Sequence, residues 1–184
     1  MLGRTSQPAH WMTQIKKNPD RTSPGRISRR DPGLIITWWS RLEPLPAGRL
    51  MFSLVLGWLA PYTGSIGARV EEICPGYARV SIRDRRRLRN HLRSIHAIAL
   101  INLGELATGL AVLSTLSTDM RGIVLDIQAE YLKKARGRIT AIAEFELPPI
   151  LQGDTACEVE ALLLDQSGDT VTRVRATWLI GYQT

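Results

Sequence analysis

The sequence predicts an α+β domain in which an antiparallel sheet is curled around one long helix, and three observations carry that expectation. The stretch HAIALINLGELATGLAVLS, residues 96–114, is apolar or small at nearly every position, and a helix that is apolar all round must be surrounded. Four stretches of period-two alternation follow it, at residues 123–131, 139–147, 157–164 and 174–180. The connections between them are of hairpin length, which makes the sheet antiparallel.

The elements are justified in chain order. Residues 1–33 are rich in Arg, Ser and Pro and have no apolar periodicity, so a disordered basic tail is expected there, with a single domain over 34–184. A helix is predicted over 46–62, with Pro44, Pro46 and Gly48 marking its start and Pro61 its end. Residues 66–73 and 77–83 alternate on either side of Cys74-Pro75-Gly76, which reads as a hairpin. RDRRRLRNHLR, residues 83–93, is a charged loop. The long helix runs from about 94 to 116 with Ser94 as its N-cap. In the first strand after it, Ile123, Leu125, Ile127, Ala129 and Tyr131 share the face expected to line the helix. Asp165 to Asp169 is a hairpin turn.

Charge and cysteine usage exclude several classes of function. The chain of 184 residues has a net charge of +7. Seven basic and two acidic side chains fall in residues 1–33, leaving 17 basic and 15 acidic groups over the rest. The charge belongs mostly to the tail, which is weak support for nucleic-acid binding by the domain. Cys74 and Cys157 share no short spacing and form no ligand pattern with His10, His91 and His96, so neither a disulfide framework nor a metal site is expected. Cytoplasmic residence follows as the default. Residues 50–60 are too short for a membrane span, and residues 97–114 carry Asn102 and Glu105 near their centre. There is no glycine-rich phosphate loop.

Glu105 is the anomaly of the long helix, because an ionised carboxylate is costly to bury. Helical spacing places Ile98, Ile101, Asn102, Glu105, Thr108, Gly109 and Val112 on one broad face. If that face lines a cleft, burial raises the glutamate pKa. The structural alternative is an ion pair with an arginine across a dimer interface.

A helix enclosed by an antiparallel sheet is the hot-dog architecture, and the chain resembles hot-dog acyl-CoA thioesterases of the phenylacetyl-CoA type. That group shows an Asn, a His-Gly-Gly six residues on, and a catalytic acid nine residues after the His. Here the order is Asn90, His96 and Glu105. EYLKKARGRITA, residues 130–141, is similar to the group's next strand, with its Tyr, basic residues and Gly. The resemblance covers about residues 38–182, and NHLRSIHAIALINLGELATG looks typical of a poorly characterised bacterial subfamily. The chain departs from the pattern where Ala97 and Ile98 replace both glycines, and where Arg93 stands at a position usually held by Gly.

The resemblance implies a thioester hydrolase acting on acyl-CoA. Glu105 would be general base or nucleophile, and amides near Ala97 would bind the oxyanion. Asn90 would bond the substrate or orient water, and His96 would position the loop or contact the thioester. Asn102 and Thr108 would hold Glu105 or substrate, and Tyr131, Lys133, Lys134 and Arg136 would contact the substrate. The clusters over 83–93 and 133–138 would flank the cleft mouth and meet CoA phosphates or an acidic acyl carrier protein. A homodimer or homotetramer follows from the fold, whose cleft forms between subunits, and no cofactor beyond the CoA of the substrate is implied. A non-catalytic acyl-CoA or lipid binder is the leading alternative, favoured by the lost glycines. A hot-dog dehydratase ranks behind it, since HAIALIN lacks the Pro-rich loop of that group.

Overall fold

The computed structural model describes residues 33–149 and 153–183. The expected tail therefore lies almost entirely outside the described residues. Three helices come first: α1 (Leu34–Leu42), α2 (Gly48–Leu59) and the short α3 (Pro61–Ser65). Strands β1 (Arg69–Cys74) and β2 (Tyr77–Arg83) form the expected hairpin, and a single 3-10 turn spans Arg86–Leu88. Helix α4 (Ala97–Leu113) is followed by β3 (Met120–Tyr131), β4 (Arg138–Glu144), β5 (Thr155–Leu164) and β6 (Thr170–Tyr182).

α1 is an addition to the sequence reading. LIITWWSRL is amphipathic, and it buries Trp39 edge-on against Phe52 of α2, with ring centroids 5.1 Å apart. α2 is shorter than expected. Pro61 does not merely end a helix; it occupies the first turn of α3, where its missing N–H has no intrahelical acceptor to lose. The Val70 N–H donates to Ser53 Oγ at 2.9 Å and ties α2 to β1.

All six strands form one antiparallel sheet in the order β1-β2-β4-β5-β6-β3. This corrects the expectation of consecutive hairpins after the long helix. β3 pairs with β6 at one edge, and residues 132–137 carry the chain back to β4 in the interior of the sheet. Connection length fixes antiparallel direction, not adjacency. That crossing is held by backbone. The N–H groups of Leu132 and Lys133 both donate to the Val171 carbonyl, and Ile95 N–H donates to the Ala135 carbonyl.

A bulge between Val124 and Asp126 also changes the phase of β3. Ile123 and Leu125, expected on the lining face, are 51% and 57% exposed, while Ile127 and Ala129 pack against the core. One extra residue moves the alternation to the other face.

α4 packs against all six strands and buries 12 of its 17 residues. The approach is closest at Gly104, where an added Cβ would lie 2.5 Å from Val174 Cβ on β6. Ser114 fixes the other end of the helix, accepting from the Gly76 N–H at 3.0 Å in the β1–β2 turn. Among the described residues no helix is long and apolar enough to cross a membrane.

Gly104→Ala should therefore lower stability by about 1–3 kcal/mol, because the helix must lift from β6 to admit the methyl group. A fall in the thermal midpoint with an unchanged far-UV CD spectrum checks this.

Candidate functional site

The helix N-terminus differs from the sequence reading. The N-cap is His96, not Ser94, and its Nδ1 accepts from the Ile98 N–H at 3.2 Å. With Nδ1 as acceptor, the neutral ring carries its proton on Nε2. Ser94 is buried instead, its hydroxyl donating to the Ala135 carbonyl at 2.9 Å. Asn90 Oδ1 accepts from the N–H groups of Leu92 and Ser94 at 2.9 and 3.2 Å. Its carboxamide oxygen thus shapes the turn that leads into α4. Arg93 in that turn has φ 53°, the left-handed region that glycine occupies without strain.

An open hollow of about 330 Å³ lies beside this end of α4. It gathers five of the ten expected site residues: Asn90, Ala97, Tyr131, Lys133 and Lys134. The Tyr131 hydroxyl donates to the Ala97 carbonyl at 3.2 Å, and partial burial pushes its pKa up. Ala97 opens the helix, so its own N–H has no intrahelical acceptor. Lys133 is held by hydrogen bonds from its ammonium to Asp165 and Asp169, at 2.8 and 2.7 Å, which push its pKa up to about 12. Its charge is already countered, so among the described residues the uncompensated cation over the hollow is Lys134. Arg136 is exposed near Asp84 and does not line the hollow.

The remaining residues sit further along α4 and diverge. The face expected to be continuous is open only at its start. Ile98 is 48% exposed, Ile101 and Glu105 are half-buried, and the positions beyond are covered. Trp178 of β6 does the covering. Its ring edge lies 3.0 Å from where Gly109 would carry a Cβ, with Glu105 Oε1 at 3.9 Å from the same point. Thr108 is fully buried, donating to the Glu105 carbonyl at 3.0 Å and accepting from Trp178 Nε1 at 3.3 Å. It has no exposed surface to offer a substrate. Asn102 is buried and donates to the Tyr62 carbonyl at 3.2 Å, while its Oδ1 has no partner among the described residues. It reaches α3, not Glu105.

Glu105 has no ion pair or side-chain hydrogen bond among the described residues, and burial pushes its pKa up. Glu105 lies eight residues from Ala97, a separation of about 12 Å along the helix axis.

The two basic clusters do not flank one mouth. Arg89 is bound to Asp84 at 2.6 Å and Arg138 to Glu71. Arg83, Arg85 and Arg87 turn away to a different pocket, described below. A run such as RDRRRLR carries no sign of that division.

Three comparisons bear on this arrangement. The structural-genomics target APC5556 superposes with a TM-score of 0.69 at 30% identity, over 81% of this chain and 98% of the other. A protein of unknown function from Pseudomonas aeruginosa, described as a probable thioesterase, has a TM-score of 0.61 at 25% identity, over 67% of this chain and 88% of its own. A thioesterase family protein from Silicibacter pomeroyi shares the fold at 19% identity, with a TM-score of 0.61 over 71% and 96% of the two chains. No curated protein matches the sequence. Six antiparallel strands in this order with a helix seated on them define a protein of the hot-dog thioesterase superfamily. Within it, residues 48–180 match a domain of unknown function, DUF4442, and the chain belongs to that family.

Two outcomes follow from the local geometry. Arg93→Gly should raise stability by about 0.5–1 kcal/mol by relieving the left-handed backbone, read as a higher denaturation midpoint. For Glu105 the sign is set by its raised pKa. The folded protein favours the protonated acid, so the stability it brings is present below the unfolded value near 4.3 and is lost as pH rises through the folded value. Glu105→Gln should therefore raise the thermal midpoint at pH 7 relative to wild type, and the gain should shrink towards pH 4.

Proposed function

We propose that the protein is a cytoplasmic acyl-CoA thioesterase, with Glu105 of α4 as general base or nucleophile. The observation that carries this reading is a half-buried, unpaired glutamate on the open stretch of an otherwise covered helix. A carboxylate with a raised pKa is a better base than an ordinary one. In this reading the sheet is wrapped around α4 as its central helix.

The N-terminal amides of α4, Ala97 above all, would receive the developing oxyanion. His96, in the same turn, would contact the thioester through Nε2–H, and Asn90 would support the loop. Lys134, with Lys133 and Arg136 beside it, would meet the CoA phosphates or an acidic carrier protein. Asn102 and Thr108 would act from within, positioning α4 against α3 and β6.

About 12 Å separates Glu105 from Ala97 in one chain, too far for both to reach one carbonyl. A second copy resolves this: the hollow at the start of one α4 would face Glu105 of its partner, and Ile98 and Ile101 would be covered between them. A homodimer or a tetramer of such pairs is therefore part of the proposal. No metal or redox cofactor enters it, and water is the co-substrate.

A non-catalytic acyl-CoA binder is the second reading. Asn90 and His96 favour it, since Asn90 Oδ1 and His96 Nδ1 are both spent on backbone N–H groups.

Thiol release over a panel of acyl-CoA esters tests both. Wild type should turn over at least one ester, and Glu105→Gln should lose about 100-fold or more in kcat. The acid limb of kcat/KM should inflect above the ordinary glutamate value of about 4.3. Equal turnover by the variant would overturn the role of Glu105. Binding without turnover in wild type would establish the second reading.

A further inference from the structure

A second pocket, of about 450 Å³, lies where α2 and α3 meet the start of β1 and the end of β2. Its volume falls in the range of small-molecule sites, about 300–1,000 Å³. Its floor is apolar, from Leu50, Leu54, Leu56 and Leu106, and its rim carries Arg69, Arg83, Arg85 and Arg87. Among the described residues no acidic residue lines it. Among the described residues none of these four arginines has an ion-pair partner. The carboxylates nearest in sequence are committed elsewhere, Glu71 to Arg138 and Arg79, and Asp84 to Arg89.

Two of the guanidinium groups converge. Arg87 Nη2 and Arg85 Nη1 lie 3.0 and 3.1 Å from the point where Gly67 would carry a Cβ. Gly67 has φ +62° and no side chain, so that space is left to them. Like charges crowded at one point repel unless an anion lies between them. The frame around them is tied down. Ser53 Oγ holds β1 to α2, and the backbones of Gly57 and Gly64 touch where α2 meets α3.

We propose that this pocket binds a phosphate-bearing amphiphile, with a single alkyl or acyl chain on the leucine floor and the head between Arg85 and Arg87. A phosphate offers enough acceptor oxygens for two guanidinium forks at once. The site shares no lining residue with the hollow at the start of α4, and the proposal stands apart from the thioesterase reading. The head could be supplied by a membrane phospholipid or by a free phosphate ester, which have the same chemistry.

Calorimetric titration of the full chain with decyl phosphate tests the proposal. Decyl phosphate should bind, with inorganic phosphate and decyltrimethylammonium weaker by at least about tenfold, because each lacks one half of the recognition. Arg85→Ala/Arg87→Ala should weaken binding by about tenfold or more at an unchanged thermal midpoint, both side chains being exposed. Arg85→Lys/Arg87→Lys should recover part of it. Leu54→Asp, at a 64% exposed position, should weaken it independently. Retention on phosphatidylglycerol vesicles but not on phosphatidylcholine vesicles, lost in the double alanine variant, would trace the head to a membrane lipid. Binding of decyl phosphate without vesicle retention would trace it to a free ester. Equal binding of the cationic amphiphile, or unchanged binding by the double alanine variant, would overturn the proposal.

Discussion

The contact between α4 and β6 sets the rest of the molecule. Gly104 brings the helix down onto Val174, and Gly109 makes room for the ring of Trp178. Between them Thr108 closes a short polar chain, accepting from the indole and donating to the Glu105 carbonyl. A helix this apolar gains little from solvent on any side, so close cover is its main source of stability. The same cover decides which part of α4 remains accessible. Trp178 shuts the second half, and Ile98, Ile101 and Glu105 are what is left open.

Glu105 therefore sits at the boundary between covered and open helix. Its Oε1 and the edge of the Trp178 ring lie 3.9 and 3.0 Å from the point where Gly109 would carry a Cβ, and among the described residues no ion pair holds the carboxyl ionised. Such a placement works against stability at neutral pH, and natural proteins tolerate features of that kind mainly where function requires them. The helix N-terminus is arranged in the opposite way. His96, Asn90 and Ser94 each satisfy a backbone group, so the turn is well pinned, and Ala97, whose N–H has no intrahelical acceptor, lines the hollow.

Much of this was legible in the sequence, for reasons that can be named. Strand alternation is a local signal, so β1, β2, β4, β5 and β6 fall close to their expected places. The long helix was visible because few sequences are apolar through so many turns. The phase of β3 was not, since an extra residue at Leu125 leaves no mark in an apolar run. Strand order was not, because residues 132–137 look like a turn whether they join neighbours or cross the sheet. α1 was hidden by the basic stretch before it and by the lack of a side-chain cap. Among site residues, the Asn90–His96–Glu105 spacing directed attention to both ends of the open helix face. It could not show that Thr108 is sealed by a tryptophan 70 residues away, or that Arg85 and Arg87 part company with Arg89.

The exposed edge of β3 has a consequence of its own. Among the described residues its outer backbone groups have no strand beside them, and Ile123 and Leu125 stand on its surface, with no Pro or Lys in the strand. On either side of the bulge at Leu125 such an edge pairs with an extended peptide, a copy of itself included. The hazard for this protein rises with the concentration of folded chains, since the pairing of two such edges is a bimolecular step.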